Sequence, residues 1–198
     1  GFIDKTGKQI IPCLYDDAGL LSPNSSFNEG LAKVKVGGKW GFIDKTGKQI
    51  VPCLYDDAGD FSEGLAKVKV GGKRGFIDKT GKQIVPCLYD DAGFFHEGVA
   101  AMKVGEKWGF IDKTGKQIVP CLYDDAGDFS EGLAPVKVGE KWGFIDKTGK
   151  QIIPCLYDDA WLLSPNSSFN EGLAQVKVGG EWGFVDKYGN STFDFDKK

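Results

Sequence analysis

Histidine is almost absent from this chain, because His96 is the only one among 198 residues. Catalytic arrangements that activate a serine or a cysteine with a histidine base therefore have one candidate at most. Equivalent positions in the other repeats of the chain hold Asn28, Ser62, Ser130 and Asn170. We therefore interpret His96 as a surface residue, and we expect no catalytic residues.

Long apolar runs and a strong excess of one charge are also absent. No stretch of about 18 apolar residues occurs, so no membrane-spanning helix is predicted. The formal net charge of −3 gives no electrostatic reason to expect binding to nucleic acid or to an anionic membrane. No leader with a charged and then an apolar part is visible. Gly1 opens in mid-repeat, and we expect the natural start to lie upstream.

A repeated phrase dominates what is present. The sequence Gly-Phe-Ile-Asp-Lys-Thr-Gly-Lys-Gln-Ile begins at Gly1, Gly41, Gly75, Gly109 and Gly143, and a degraded copy begins at Gly183. Such a period is typical of a repeat array, in which each unit packs mainly against its neighbours. We predict one array over residues 1–198, with units at about 1–30 (partial), 31–64, 65–98, 99–132, 133–172 and 173–198 (partial, a C-terminal cap).

One unit reads as three β-strands. Residues 31–36 alternate apolar and basic side chains, and Gly37-Gly38 suits a two-residue hairpin turn. Residues 40–44 form a second strand, with Trp40 and Phe42 on one side and Ile43 on the other. Residues 49–55 form a nearly continuous apolar third strand, which suggests burial on both faces, and the Asp- and Gly-rich residues 56–64 are read as a connector.

Proline indicates the order of the strands. It recurs in the third strand, at positions that include Pro52, and it occurs in the first strand at Pro135, but never in the Trp-Gly strand. Because proline belongs on an edge or at a bulge, the Trp-Gly strand is predicted to be central. We predict an all-β fold of three-stranded antiparallel meanders stacked into an open, twisting array. A closed, β-propeller-like ring is the alternative, and the six-residue insertions at Leu21–Ser26 and Leu163–Ser168 favour the open form.

These motifs resemble a known family. Lys39-Trp40-Gly41-Phe42-Ile43-Asp44-Lys45, Gly47-Lys48, Ile50-Val51-Pro52, Tyr55-Asp56 and Phe61 with Glu63-Gly64-Leu65-Ala66 are similar to the bacterial WG (KWG) repeat. The resemblance covers essentially the whole chain and implies a β-rich repeat, while it implies little about function. Arg74 departs from the pattern, since it stands where the signature Trp is expected.

Three sets of side chains are candidates for binding. Trp40, Trp108, Trp142 and Trp182 could stack on sugar rings, although packing between units is the simpler interpretation. Asp56, Asp57, Asp60 and Glu63 gather oxygen ligands suited to calcium in one loop, although acidic side chains that cap turns explain them equally well. The five cysteines occupy one position in successive repeats, and we expect free thiols, which are usual in reducing compartments. The compartment itself is not assigned.

The function predicted from the sequence is not enzymatic. We expect a repeat scaffold that mediates protein–protein binding or self-association, without a cofactor or metal. A carbohydrate- or cell-surface-binding module that uses the repeated Trp residues is the alternative. A hydrolase that uses the Asp56–Asp57 pair is the least favoured reading.

Overall fold

The fold consists of β-strands and turns. A computed structural model describes residues 1–4, 6–18, 27–161 and 172–193, and these residues include no helix. None of the described segments is therefore a helix long and apolar enough to cross a lipid bilayer. The chain divides into two compact units, Gly1–Asp90 and Asp91–Lys198. The insertions at 21–26 and 163–168 lie outside the described residues.

The described residues of the first unit form three sheets. Its strands are β1 (Phe2–Ile3), β2 (Gln9–Ile11), β3 (Asp17–Ala18), β4 (Leu31–Val36), β5 (Lys39–Asp44), β6 (Gln49–Tyr55), β7 (Asp57–Ser62), β8 (Leu65–Val70), β9 (Lys73–Asp78) and β10 (Gln83–Tyr89). Sheet 1 pairs β1 with β2, sheet 2 has the order β3-β4-β5-β6, and sheet 3 has the order β7-β8-β9-β10.

The second unit also contains three sheets. Its strands are β11 (Asp91–Ala92), β12 (Val99–Val104), β13 (Lys107–Asp112), β14 (Gln117–Tyr123), β15 (Asp125–Ala126), β16 (Leu133–Val138), β17 (Lys141–Asp146), β18 (Gln151–Tyr157), β19 (Asp159–Trp161), β20 (Leu173–Val178) and β21 (Glu181–Asp186). Sheet 4 has the order β11-β12-β13-β14, sheet 5 the order β15-β16-β17-β18, and sheet 6 the order β19-β20-β21.

The prediction of tandem antiparallel meanders is confirmed, with one addition. The Trp-Gly strand β5 pairs with β4 on one side and β6 on the other, as the positions of the prolines indicated. The connector is not only a loop, because β7 pairs with β8 and adds a fourth strand. Ala58 and Phe61 are buried, and this packing overrides the turn propensity of the neighbouring Asp and Gly residues. No sheet among the described residues closes into a barrel, so the chain is an all-β repeat array of open sheets.

Pro135 lies in an interior strand, which differs from the prediction of an edge. Its carbonyl accepts a hydrogen bond of 3.0 Å from the Gly127 N–H. The neighbouring edge strand β15 ends at Ala126. The N–H that Pro135 lacks would therefore point beyond the last paired residue of β15. A Cβ on Gly127 would lie 2.7 Å from Cγ of Pro135. The ring is therefore accommodated by the glycine opposite it, and no ladder hydrogen bond is lost.

The core lies between successive sheets. Phe42 of sheet 2 packs with Ala66 and Ile77 of sheet 3, whereas Ile43 packs with Phe2 and other residues on its opposite side. The second unit follows the same rule, since Phe110 of sheet 4 packs with the core residues of sheet 5. Each Trp-Gly strand therefore has a Trp/Phe side and an Ile side, as predicted. The contacts made by these two sides join one sheet to the next.

The glycine after each Trp is required by a close approach of backbone. A Cβ on Gly41 would lie 2.5 Å from the carbonyl oxygen of Val51 and 2.8 Å from the amide nitrogen of Cys53. The pairing of β5 with β6 shifts register between Trp40 and Phe42, so the third strand bulges over the glycine. Gly75, Gly109 and Gly143 have the same surroundings. Only glycine leaves room for this crossing, which explains the Trp-Gly dipeptide.

The predicted C-terminal cap, 173–198, begins with β20 and β21, and its last described residues, 188–193, lie beside β21. The Thr192 N–H donates a hydrogen bond of 2.9 Å to the Phe184 carbonyl, and Phe193 packs on the core of sheets 5 and 6. Phe184 itself is 41% exposed, while Phe144 in the preceding repeat is fully buried. Residues 194–198 of the predicted cap lie outside the described residues.

Candidate functional site

Each full sheet carries a row of four side chains on the face that bears the Trp. In sheet 2 the row is Asp17, Lys35, Trp40 and Tyr55, which are cross-strand partners. The Lys35 ammonium lies 5.3 Å from the centre of the Trp40 ring. Matching distances are 5.7 Å for Lys103 and Trp108, 5.7 Å for Lys137 and Trp142, and 5.4 Å for Lys177 and Trp182. These are cation–π contacts.

The four candidate Trp residues are therefore partly covered. Trp40, Trp108 and Trp142 are half-buried against the inter-sheet cores, and Trp182 is 42% exposed. A lysine stands over each ring, where a sugar would have to stack. Packing between sheets accounts for the first three Trp residues. Sugar binding by the four Trp residues stays a prediction.

Arg74 replaces the Trp in sheet 3 without leaving a gap. Its guanidinium Nη1 lies 3.2 Å from Oδ2 of Asp57, the carboxylate at the outer end of the same row. The planar guanidinium can cover apolar surface and pair with a carboxylate at the same time. The row therefore tolerates an ion pair in place of a cation–π contact.

The acidic loop Asp56, Asp57, Asp60 and Glu63 does not converge on one point. Asp56 Oδ1 pairs with Lys39, Asp57 pairs with Arg74, and Asp60 Oδ1 lies 3.2 Å from Lys33. Glu63 sits in a turn with a φ of 51°. Among the described residues, no group of three or more His, Cys, Asp or Glu side chains is arranged to hold a metal ion.

Asp56 joins two sheets. Its Oδ1 accepts from Lys39 of sheet 2, while its Oδ2 accepts a hydrogen bond of 2.7 Å from the Gly71 N–H at the hairpin turn of sheet 3. The Lys39 hydrogen bond, followed by that of Gly71, lowers the pKa of the Asp56 carboxyl. In the second unit Asp124 binds Lys107 and Gly139, and Asp158 binds Lys141 and Gly179. We call this arrangement the junction clamp.

A second link between sheets uses glutamates with a left-handed backbone. Glu29, Glu63, Glu97 and Glu131 have φ between 49° and 51°, which costs about 1–3 kcal/mol for a residue other than glycine. Glu29 Oε2 accepts a hydrogen bond of 3.1 Å from the Gly64 N–H of the next sheet and lies 2.8 Å from Lys79 Nζ. Glu97 makes the same contacts with Gly132 and Lys147. This role was not predicted from the sequence, in which the recurring Glu-Gly pair was the only sign of it.

The cysteines are free and inward-facing in four of the five repeats. Cys53, Cys87, Cys121 and Cys155 are half-buried, and Cys13 is exposed. The Cys53 thiol lies 3.8 Å from the Val34 carbonyl. Burial raises the pKa of the Cys53 thiol, and it does the same for the other three half-buried thiols. A raised pKa reduces the thiolate fraction, so these cysteines are poor nucleophiles.

The outer edge of each sheet is the third strand, and its exposure corrects the prediction of burial on both faces. Because the strand bulges over the Trp-Gly glycine, the side chain before Tyr55 points to solvent. The leucine at this position is exposed in every full repeat, by 64% at Leu54, 68% at Leu88, 64% at Leu122 and 48% at Leu156. Pro52, Pro86, Pro120 and Pro154 are exposed beside them.

A lysine directly precedes each of these edge strands. Lys48, Lys82, Lys116 and Lys150 are exposed, and no ion pair among the described residues includes any of them. We name the leucine row, its prolines and these lysines the outer edge. The sequence showed the repetition of these residues but not their exposure along the third strand of each full sheet.

These features define a tandem all-β repeat protein with an exposed and repeated edge. The family model of the WG containing repeat matches residues 1–40, 40–73, 75–108, 108–142 and 142–182. The chain therefore belongs to the WG-repeat family, as its motifs indicated. No curated protein matches it.

Two solved structures show the same kind of fold. Hsv2 of Kluyveromyces lactis, with a complete loop 6CD, has a TM-score of 0.50 and 12% identity over 82% of this chain and 58% of its own. A eukaryotic initiation factor has a TM-score of 0.52 and 11% identity over 84% of this chain and 52% of its own. The chain thus spans little more than half the length of either protein. At these identities the likeness concerns the fold alone.

Proposed function

We propose that the protein is a non-catalytic scaffold that binds other proteins through the outer edge. The observation that supports this most strongly is the recurrence of one exposed leucine in each repeat, at Leu54, Leu88, Leu122 and Leu156. Single exposed apolar residues need no explanation, but this leucine and the proline two residues before it are exposed together in all four full repeats. A repeated edge offers the same contact several times, so weak contacts can combine into strong binding.

The electrostatics of the remaining surface support a scaffold rather than an enzyme. The acids that could act as a catalytic pair are held apart, because Asp56 is bound by Lys39 and Asp57 by Arg74. His96 lies 3.4 Å from Asp128, a residue of the next sheet. Asp56 and His96 thus contact residues of the next sheet, and Asp57 pairs within its own sheet. Such structural contacts are the role that a scaffold requires of these groups.

Site-specific photo-crosslinking in the natural host tests the proposal. A photo-reactive amino acid replaces Leu54, Leu88, Leu122 or Leu156, one at a time. Matched controls carry it at the exposed turn residues Thr46, Thr80, Thr114 or Thr148. We expect the same partner to be captured from the leucine positions and not from the threonine positions.

Binding of the purified partner then gives the quantitative readout. Each Leu→Asp substitution should weaken its binding, and successive substitutions should weaken it further, as multivalent contact requires. Equal capture from the leucine and threonine positions would overturn the proposal. So would a partner whose affinity is unchanged after all four leucines are replaced.

A further inference from the structure

The outer edge is a poor template for adding another β-strand. Pro52 has no N–H to donate to a new ladder, and the backbone of residues 51–53 is drawn in over Gly41. Pro86, Pro120 and Pro154 repeat this feature in the other full sheets. Proline on an exposed edge prevents strand addition. A partner must therefore contact side chains, chiefly the leucines and prolines, rather than the backbone.

The spacing of the leucines suits a helix that crosses the sheets. Packed sheets lie about 10 Å apart, so one leucine per sheet recurs at about that interval within a compact unit. An α-helix rises about 1.5 Å per residue, so residues seven apart are separated by about 10.5 Å on one face. A helix lying across the sheets would therefore place one apolar residue of each heptad on Leu54 and the next on Leu88. Leu122 and Leu156 offer the same pair in the second unit.

The charges beside the leucines are uneven. On one side of Leu54 stands Asp56, which is neutralised by Lys39 in the junction clamp. On the other side the exposed Lys48 precedes the strand, and the nearby Asp44 accepts hydrogen bonds from Thr46 and from the Lys48 N–H. Lys82, Lys116 and Lys150 repeat the arrangement. The outer edge thus has an apolar row flanked on one side by lysines that form ion pairs and on the other side by exposed lysines that form none among the described residues.

We propose that the outer edge of each compact unit binds an acidic amphipathic α-helix that lies across the sheets. Its apolar stripe contacts the leucines and prolines, and its carboxylates contact the lysines. Because the third strand bulges, Gln49 and Tyr55 lie opposite Ile43 and Trp40 of the central strand. Lys48 and Leu54 are therefore separated along the edge by about three extended residues, or about 10 Å. A helix is about 10–12 Å wide with its side chains, so one centred over Pro52 reaches Leu54 directly and Lys48 through the long lysine side chain. This inference rests on the proposed function and names the class of its partner.

Designed peptides test the proposal with the full chain. The probe is a fluorescent 22-residue helical peptide with Leu at successive heptad positions and Glu along one flank. One control peptide replaces each Glu by Lys, a second has the same composition with its leucines spread around the helix, and a third is a proline-rich peptide with Leu at every third residue. Fluorescence anisotropy gives the affinities.

Two sets of substitutions locate the binding surface. L54D, L88D, L122D and L156D together should weaken binding of the acidic probe at least tenfold. K48E, K82E, K116E and K150E together should reverse the preference, so that the Lys-bearing peptide binds at least tenfold more tightly than the acidic one. All eight positions are exposed, and circular dichroism and melting curves should confirm that both variants fold. Binding of the acidic probe should also weaken as salt is added.

The outcomes are distinct. Equal binding of the acidic and basic peptides to the unmodified chain, or no binding of either, would overturn the proposal. Tighter binding of the proline-rich peptide would overturn it in favour of a polyproline helix, whose repeat of about 9.3 Å for three residues is close to the same spacing. If the crosslinked partner depends on the leucines but no helical probe competes with it, this inference fails while the scaffold function stands.

Discussion

Replacing Phe110 by Ala should be among the most damaging single changes to this protein. Phe110 is fully buried between sheets 4 and 5 and packs edge-on against Phe129, with 5.1 Å between the ring centres. Removal of such a ring leaves a cavity that neighbouring backbone cannot fill, and it costs about 3–5 kcal/mol of unfolding free energy. The aromatic pair is part of that loss, at about 0.5–1.5 kcal/mol.

The same substitution at Phe184 is the matched control. Phe184 occupies the equivalent position of sheet 6 but is 41% exposed. Full burial of a Phe is worth about 1.5–3 kcal/mol, so about three-fifths of that, roughly 1–2 kcal/mol, should be lost, and solvent fills the space. The two variants should therefore differ by about 2–3 kcal/mol.

Urea unfolding, followed by both circular dichroism and Trp fluorescence, gives the comparison. Coincident curves from the two probes are needed, since repeat arrays can lose two-state behaviour. In thermal melts, the midpoint of the Phe110 variant should lie about 4–12 °C below that of the Phe184 variant, because 1 kcal/mol shifts the midpoint by about 2–4 °C in a chain of this size. Equal costs for the two substitutions would show that packing between sheets is not the main stabilising interaction.

Three further predictions concern the Trp-Gly strand, the junction clamp and the thiols. Gly109→Ala places a Cβ 2.6 Å from the Val119 carbonyl oxygen, so the free energy of unfolding measured in urea should fall by about 1–3 kcal/mol. An unchanged urea midpoint would contradict the explanation of the Trp-Gly pair. The hydrogen bond from Lys107, and then the one from Gly139, lower the pKa of the Asp124 carboxyl in the folded state. The ionised carboxyl therefore stabilises the folded chain at pH values above its unfolded pKa, near 4. This stabilisation is lost as the pH falls further. The melting temperature should therefore drop less between pH 5 and 2 in Asp124→Asn than in the unmodified chain, and parallel curves would refute the clamp. A thiol reagent should label Cys13 first and the four half-buried cysteines slowly, and Cys13→Ser should remove the fast phase; five equal rates would show that burial does not protect them.

The sequence predicted the parts of the fold that depend on period. Alternation around Trp40, Phe42 and Ile43 assigned these residues to opposite faces, and the structure places them there. It missed the short strand at Asp57–Ser62, because Asp and Gly favour turns, whereas the buried Ala58 and Phe61 hold that segment against the sheet. Local propensity does not contain this tertiary contact.

The candidate site was harder to predict than the fold. Leu54 reads as part of an apolar run, and its exposure depends on the bulge of the third strand over Gly41. The left-handed turn at Glu29 was also missed, since its side chain is held by Gly64 and Lys79 of later repeats. In each case the deciding contact joins different strands or different repeats, as Gly41 with Val51 and Glu29 with Gly64, so the pattern within one strand does not give it.

The junction clamp has a consequence for how such a chain can change its length in evolution. Its lysine and aspartate are 17 residues apart, as with Lys39 and Asp56, which is half of the 34-residue spacing between Gly41 and Gly75. A copied segment of one full period therefore brings both charges of a junction with it, wherever the copied segment begins. A gene that gains or loses such a segment would still encode matched junctions throughout, and the number of leucines on its edge would change without any other adaptation.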